Sequence, residues 1–344
     1  MIASALTRSG LRVALYTSPH LVDVRERMLV DGTPISENAF AQWTNTLADE
    51  IRDAGASFFE ATTAIAFADF AARGADVAVV EVGLGGRLDS TNVLEPLASA
   101  VTCVSIEHTD YLGESIEEIA REKAGIAKAG TPFIIGERDS VGASVLIQRA
   151  GEAGAIVEVL PADAIYTGEI GLHGPHQDRN ATIAVAVLRA LPSELRPNER
   201  ETAEGIASAW LPGRFDCRGK WVFDVAHNPA AIAALVENLR SRESDRPIHG
   251  LLGVLNDKDA GSILSVLDRE LDALWVTTPP SAPEDRRSDL GALAELAGAS
   301  VVIEPDFVRA LAGVQTGAAT VLVTGSFHTV GDAMSRLPGF APLG

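Results

Sequence analysis

The run Asp76-Val77-Ala78-Val79-Val80-Glu81-Val82 constrains this chain most, because it is apolar at successive positions and not at alternate ones. A strand of that kind belongs where both faces of a sheet are covered, as in a parallel sheet flanked by helices. Comparable runs occur at Arg12 to Thr17, Ala98 to Ile106 and Pro132 to Ile135. Helical patterns lie between them, around Glu37 to Ala54 and Thr62 to Ala72, and from Ser115, where Ser115-Ile116-Glu117-Glu118 fits a capping box. Past Ile135 the pattern weakens until a helix that follows Gln177-Asp178-Arg179-Asn180. The turn-like Trp210-Leu211-Pro212-Gly213-Arg214 marks a domain boundary. Alternation then resumes, with strands near Val222-Phe223, Ile248 to Leu252, Ala273 to Thr277, Ser300 to Ile303 and Thr320 to Val323. The pattern predicts an α/β protein of two doubly wound domains, residues 1–209 and a smaller 217–344, joined by a linker over 210–216. A length of 344 residues suits two cores better than one.

The beginning adds an expectation. Met1-Ile2-Ala3-Ser4-Ala5-Leu6, closed by Arg8-Ser9-Gly10, reads as a helix already under way, with a glycine stop and no N-cap residue. It feeds the Arg12–Thr17 run. A crossover helix joins two parallel strands, so a strand ahead of Met1 is expected.

Charge and cysteine usage exclude several classes. A net charge of −19 repels a phosphate backbone, and no Lys/Arg run offsets it, so nucleic acid is not an expected partner. Cys103 and Cys217 lie far apart and neither sits in a C-x-x-C pair, which speaks against a disulfide framework or a zinc site and for reducing cytoplasm. No apolar run approaches the roughly 20 residues of a membrane helix. The N-terminus also lacks a signal-peptide layout.

In open parallel sheets ligands sit beyond the carboxyl ends of the strands. The residues there are polar: Ser18 after the first run, Glu81 at the end of the second with Gly83-Leu84-Gly85-Gly86-Arg87-Leu88-Asp89 following, and Glu107-His108-Thr109-Asp110 after the third. Ser18, Glu81 and His108 form a candidate Mg²⁺ site; the alternative is a solvated strand-end glutamate and a loop histidine. The glycine cluster is not a dinucleotide fingerprint, because Leu88 stands where a third glycine is needed. No G-x-x-x-x-G-K-[ST] loop occurs in the sequence.

Taken together, Tyr16-Thr17-Ser18-Pro19-His20-Leu21, Glu81 through Asn92, and His108-Thr109-Asp110-Tyr111-Leu112-Gly113 closely resemble the folylpolyglutamate/dihydrofolate synthases, a branch of the Mur ligase superfamily. Arg121-Glu122-Lys123-Ala124-Gly125-Ile126, His176-Gln177, Asn180-Ala181, Pro212-Gly213-Arg214-Phe215 and Asp224-Val225-Ala226-His227-Asn228-Pro229 match in the same order, over nearly the whole chain. The family also carries a Gly-Thr-Asn-Gly-Lys-Gly-Ser type loop at the start of the first helix. This sequence enters that helix at Met1, so the expectation is a chain written without the residues that precede it; a loop-less protein is the alternative.

The resemblance implies an ATP-binding domain followed by a glutamate-binding domain, and ATP-dependent ligation of L-glutamate to dihydropteroate or a reduced folate through an acyl phosphate. The alternatives are another Mur-type amino-acid ligase and a non-catalytic folate- or glutamate-binding relic. It implies Ser18, Glu81 and His108 as Mg²⁺ ligands, with K⁺ as a further cation, and Lys123 as a carbamylated ligand of a second metal. Asn180, Arg214 and Asp224 match nucleotide-contacting positions, and Lys123, His227 and Arg214 are the expected catalytic residues. The bland readings are a surface lysine, a helix-start asparagine and an ion-paired arginine. Lys258 and Ser326 follow later strands as candidate substrate residues, and Phe59-Glu60-Ala61-Thr62-Thr63 has either a substrate-side or a packing role. A monomeric cytoplasmic enzyme is expected.

Overall fold

The structure, a computed structural model, describes residues 1–174 and 176–342. Two compact units emerge from the described residues: 1–19, 27–171 and 176–209 in the first, and 20–26, 172–174 and 210–342 in the second. Residues 20–26, placed in the first domain by chain order, pack with the second unit. Leu21 contributes to that unit's core, and a Cβ on Gly331 would come within 2.1 Å of the Leu21 carbonyl oxygen. The Glu26 carboxylate holds this excursion in shape by accepting from the N–H groups of Leu21, Val22 and Asp23.

The first unit contains two sheets. β1 (Val13–Tyr16), β2 (Met28–Val30), β3 (Thr33–Pro34) and β4 (Val77–Val80) run in the order β3-β2-β1-β4, with β1 parallel to β4 and antiparallel to β2. β5 (Ser99–Val101), β6 (Pro132–Ile135) and β7 (Ile156–Val159) form a parallel three-stranded sheet. β4 is the expected all-apolar strand, but it is an edge strand among the described residues and its side chains are only half-buried or exposed. The fully buried strand is instead β6, where Phe133, Ile134 and Ile135 are sealed between helices on both faces.

Several local expectations shift. The helix around Thr62 begins at Phe58, because Ser57 and Glu60 form a reciprocal capping box four residues earlier. The helix from Glu37 breaks at Leu47 into Glu37–Thr46 and Ala48–Ala54. The third run is a strand only over Ser99–Val101; beyond it the Val104 N–H turns to the buried Glu137 carboxylate, not to a ladder partner. The weak region holds a helix, Ser140–Glu152, capped by Asp139. The capping box at Ser115 starts Ile116–Lys123 as expected.

The second unit carries a six-stranded sheet built from β8 (Asp216–Arg218), β9 (Trp221–Phe223), β10 (Ile248–Leu252), β11 (Ala273–Val276), β12 (Val301–Ile303) and β13 (Thr320–Thr324). Its order is β12-β11-β10-β13-β9-β8, parallel throughout except for β8. Neighbouring residues along one strand enter opposite cores: Val222, Leu252 and Leu322 join one apolar cluster, and Phe223, Leu251, Val321 and Val323 the other. Cover on both faces is why these strands read as continuous apolar runs. No helix among the described residues is long and apolar enough to cross a membrane.

Candidate active site

At the carboxyl end of the first sheet, Tyr16 pairs in register with Val80, and just beyond that pair the two strands meet through a side chain. The Ser18 N–H donates to Glu81 Oε2 at 2.8 Å. Beneath this junction the buried Tyr16 hydroxyl shares hydrogen bonds with Thr62 and Thr63, and the Thr63 hydroxyl shares one with Ser90 at 3.0 Å. The Phe59–Thr63 segment therefore anchors β1 to the loop after β4, the packing alternative of the two roles considered for it.

That loop is shaped by one carboxylate. Asp89 Oδ2 accepts the N–H groups of Gly83 and Leu84, while Oδ1 accepts the N–H and hydroxyl of Thr91. Residues Ser90–Val93 follow as a short 3₁₀ helix capped by Asp89. Gly86 lies so close to the end of the helix Ile116–Lys123 that a Cβ would sit 2.8 Å from the Glu122 carbonyl oxygen and 3.0 Å from that of Lys123. Arg87 fixes the same contact by donating its N–H to the Glu122 carbonyl and pairing with the Glu122 carboxylate at 3.0 Å. These glycines permit close backbone approach, which explains why the spacing of a dinucleotide loop is absent.

The loop walls a cavity of about 180 Å³ whose lining includes Gly83, Leu84, Ser105, Glu107, His108 and Lys123. His108 opens the helix Thr109–Leu112 from a left-handed backbone conformation (φ 54°), and Lys123 enters as the last residue of its capped helix. His108 and Lys123 are thus brought together, with Glu81 immediately before the first lining residue, Val82. No cluster of three or more His, Cys, Asp or Glu side chains able to hold a metal exists among the described residues. The set Ser18, Glu81 and His108 offers one hydroxyl, one carboxylate and one imidazole. Hydroxyl and carboxylate oxygens at the joined strand ends are hard donors suited to Mg²⁺, with water and phosphate completing the shell.

Asn180 lies on the helix Gln177–Ala190 and donates to Gln177 Oε1 at 3.0 Å. Immediately before it in the same helix is a residue that sequence reasoning missed. Arg179 is buried and its guanidinium donates only to carbonyls, those of Gly136, Leu160, Pro161 and Ala164. Burial pulls its pKa down.

In the second unit Asp224 bridges two backbone turns: Oδ2 accepts from Phe215 N–H and Oδ1 from Ala226 N–H, both at 2.8 Å. Phe215 is held at φ 47°, a left-handed conformation that a bulky residue rarely adopts. Arg214 stacks over the Phe327 ring, whose centroid is also 6.3 Å from that of His227. His227 Nδ1 engages the Val225 carbonyl at 2.8 Å. Arg214, Asp224 and His227 thus gather at the carboxyl ends of β9 and β13. Lys258 pairs with Asp257 at 3.0 Å. Ser326 is buried and its hydroxyl is committed to capping Phe327–Arg336 and to the Gly253 carbonyl.

Comparison with known proteins places the chain in a family. Residues 213–327 match the family described as Mur ligase, glutamate ligase domain. The Escherichia coli dihydrofolate synthase/folylpolyglutamate synthase is 34% identical over 97% of this chain and 82% of its own length. The chain belongs to the folylpolyglutamate synthase/dihydrofolate synthase family. A probable bifunctional folylpolyglutamate synthase/dihydropteroate synthase of Halobacterium salinarum is 37% identical over 97% of this chain, which spans only 44% of that relative's length. Among solved structures, E. coli FolC in complex with DHPP and ADP aligns with a TM-score of 0.85 at 32% identity, covering 97% of this chain and 84% of the other. The Yersinia pestis bifunctional folylpolyglutamate synthase/dihydrofolate synthase with AMPPNP and Mn ion aligns at 0.83 and 32%, with coverages of 97% and 84%. Both units of this family member therefore have counterparts of known fold.

Proposed function

We propose that this chain joins L-glutamate to the carboxylate of dihydropteroate or a reduced folate at the expense of ATP, acting as a monomer in the cytoplasm. The observation that carries the reading is the cavity in which the loop after Glu81 meets His108 and Lys123. It lies beyond the strand ends, where an α/β sheet binds ligands, and relatives named for this activity align over nearly the whole chain.

In this reading the acceptor carboxylate attacks the γ-phosphorus of ATP and ADP leaves. The glutamate amine then displaces phosphate from the acyl phosphate to form the amide. Ser18, Glu81 and His108 would hold Mg²⁺, which when bound neutralises charge on the transferring phosphoryl group. Arg214 presents a planar donor fork suited to phosphate oxygens, and Asn180 an amide for the nucleotide. Asp224 keeps the Arg214–Phe215 turn and the segment before His227 in fixed relation. Lys123 takes up CO₂ as a carbamate, converting a cation into an anionic ligand; K⁺ is a further cation of the site. Lys258 faces the substrate, whereas the Ser326 hydroxyl serves by capping the helix next to it.

The test is ADP release with ATP, Mg²⁺, L-glutamate and either acceptor, run on residues 1–344 and on the product of the whole reading frame. Glutamate- and acceptor-dependent release is expected. Release with a different carboxylate acceptor, or with none, sinks the folate assignment.

A further inference from the structure

Between the last rung of the β5–β6 ladder and His108 the chain is steered by residues that no motif marks. The Gly136 N–H donates to the Val101 carbonyl at 2.8 Å, and continuing that parallel register would bring the Cys103 N–H to the Gly136 carbonyl. Arg179 takes that acceptor instead, with Nε at 3.1 Å and Nη2 at 3.0 Å. The ladder ends there, and the Val104 N–H goes to Glu137 Oε2. Glu137 is 7% exposed and its other oxygen accepts the Asp139 N–H at 2.6 Å, so both carboxylate oxygens are committed to backbone. The Gly136–Glu137 peptide is tightly enclosed. A Cβ on Gly136 would collide with the Ile183 side chain and fall 2.9 Å from the Thr102 carbonyl oxygen, and one on Gly142 would lie 3.2 Å from Glu137 Cγ and 3.5 Å from Val104 Cβ.

Val104 is held from its other end as well, because its side chain is buried with Ile119 and Ala120 of the helix that ends at Lys123. Ser105, Ile106 and Glu107 separate Val104 from His108, and Ser105, Glu107 and His108 all line the cavity. His108 keeps a left-handed backbone, a conformation that persists in a non-glycine residue where its surroundings over-determine it. On the far side of His108 the Tyr111 and Leu112 N–H groups donate to its carbonyl at 2.9 and 3.0 Å. On the near side the fixed point is the Val104–Glu137 hydrogen bond, which is charge-assisted and buried.

We infer that Glu137 is a positioning residue for this site: by holding Val104 it sets where the loop presents Glu107 and His108 to the cavity. It acts through the backbone alone, since Val104 and Asp139 occupy its carboxylate. The inference rests on the ligase reading for what the cavity binds. The carbonyl of the preceding residue, Gly136, grips Arg179, which adjoins Asn180 in its helix, so that helix and the His108 loop share one anchor. Groups that orient a metal-binding side chain from behind are worth about 10–100-fold in affinity or rate.

The experiment compares wild type, Glu137→Gln, Glu137→Ala and Asp139→Ala in the product of the whole reading frame. Asp139 caps the neighbouring helix Ser140–Glu152 through the N–H groups of Val141 and Gly142, so Asp139→Ala reports a loss of structure that leaves the Val104 anchor in place. Hydrogen exchange across residues 102–112 is expected to quicken about tenfold or more in both Glu137 variants and to keep the wild-type rate in Asp139→Ala. Mn²⁺ affinity, followed by electron paramagnetic resonance in the presence of ADP, is expected to fall about tenfold in Glu137→Gln together with kcat, while the KM values for glutamate and acceptor stay within about twofold. If Glu137→Ala fails to fold, Glu137→Gln, which keeps the volume, carries the comparison. In wild type itself, a Val104 amide that exchanges as fast as those of Ser105 and Ile106 overturns the anchor without any variant. Glu137→Gln matching Asp139→Ala in exchange and Mn²⁺ affinity overturns the positioning role, as does quickened exchange with unchanged Mn²⁺ affinity and kcat; in either case wild-type turnover leaves the ligase reading standing. Quickened exchange and weakened Mn²⁺ binding confined to the Glu137 variants, in a protein without glutamate-dependent ADP release, support the positioning role and remove the ligase reading. Wild type that neither binds Mn²⁺ nor turns over overturns both.

Discussion

The Ser18 N–H reaches Glu81 Oε2 at 2.8 Å, so two parallel strands are joined by a carboxylate at the point where their ladder ends. Glu81 has therefore a fixed position before any ligand arrives, which is the condition under which a carboxylate contributes most to binding charge. Glu81→Gln keeps an acceptor for Ser18 but removes the charge. It is expected to lower kcat/KM roughly a hundredfold while leaving the unfolding midpoint within about 0.5 kcal/mol of wild type. Steady-state ADP release and urea titration on the same preparation check this; near-normal turnover removes Glu81 from the site.

Gly86 allows the loop and the end of the Lys123 helix to touch. An alanine there meets two backbone carbonyls at 2.8 and 3.0 Å, which cannot swing aside, and the Ile126 Cγ2 at 2.9 Å. Gly86→Ala should cost about 1–3 kcal/mol of stability and displace Lys123 from the cavity. The control is Gly151→Ala, where a Cβ meets nothing within 4 Å. Equal activities in the two variants would show that the loop contact does not set the site.

Arg179 is a structural cation. Its guanidinium satisfies four carbonyls that lie away from water, and removing it leaves those acceptors unpaired. Arg179→Ala is expected to lose about 3–5 kcal/mol, and Arg179→Lys to recover only part, since an ammonium cannot reproduce the planar fork. Urea unfolding gives the comparison.

His328 resists protonation in the folded protein, chiefly because burial desolvates it and further because Arg286 is near, although Asp332 opposes the shift. The unfolded chain takes up that proton below about pH 6.5, whereas the folded chain takes it up only at lower pH. Folding stability therefore falls as pH drops through that window and stops falling on this account once the folded imidazole is charged. His328→Gln should lose less stability than wild type between pH 7.5 and pH 5.5, and parallel curves would remove the effect.

What could be read from the sequence depended on how local the cause is. The strands of the second unit were legible because both their faces are buried, so residues such as Val321, Leu322 and Val323 are apolar in succession. Ser18, Glu81 and His108 could be put forward as candidates because polar residues follow apolar runs. The helix Glu199–Ala207 was missed despite the Asn198–Glu201 capping box, and β7 because it lies at a sheet edge, where Ile156, Glu158 and Val159 are exposed and only Val157 is half-buried. Arg179 gave no signal at all, since its partners are carbonyls spread over 28 residues of chain and any residue type supplies a carbonyl.

Residues 20–26 have one further consequence. The polypeptide leaves the first unit after Pro19, takes part in the second, and returns at Arg27 before the first sheet is finished; it makes a second excursion near 172. Neither unit is therefore a contiguous stretch of gene. A fragment cut at 209/210 would carry Leu21 without the core that buries it, and its complement would lack the segment that covers Gly331. The two units are modules in space but not in heredity: recombination could exchange either one only by moving three pieces of chain at once.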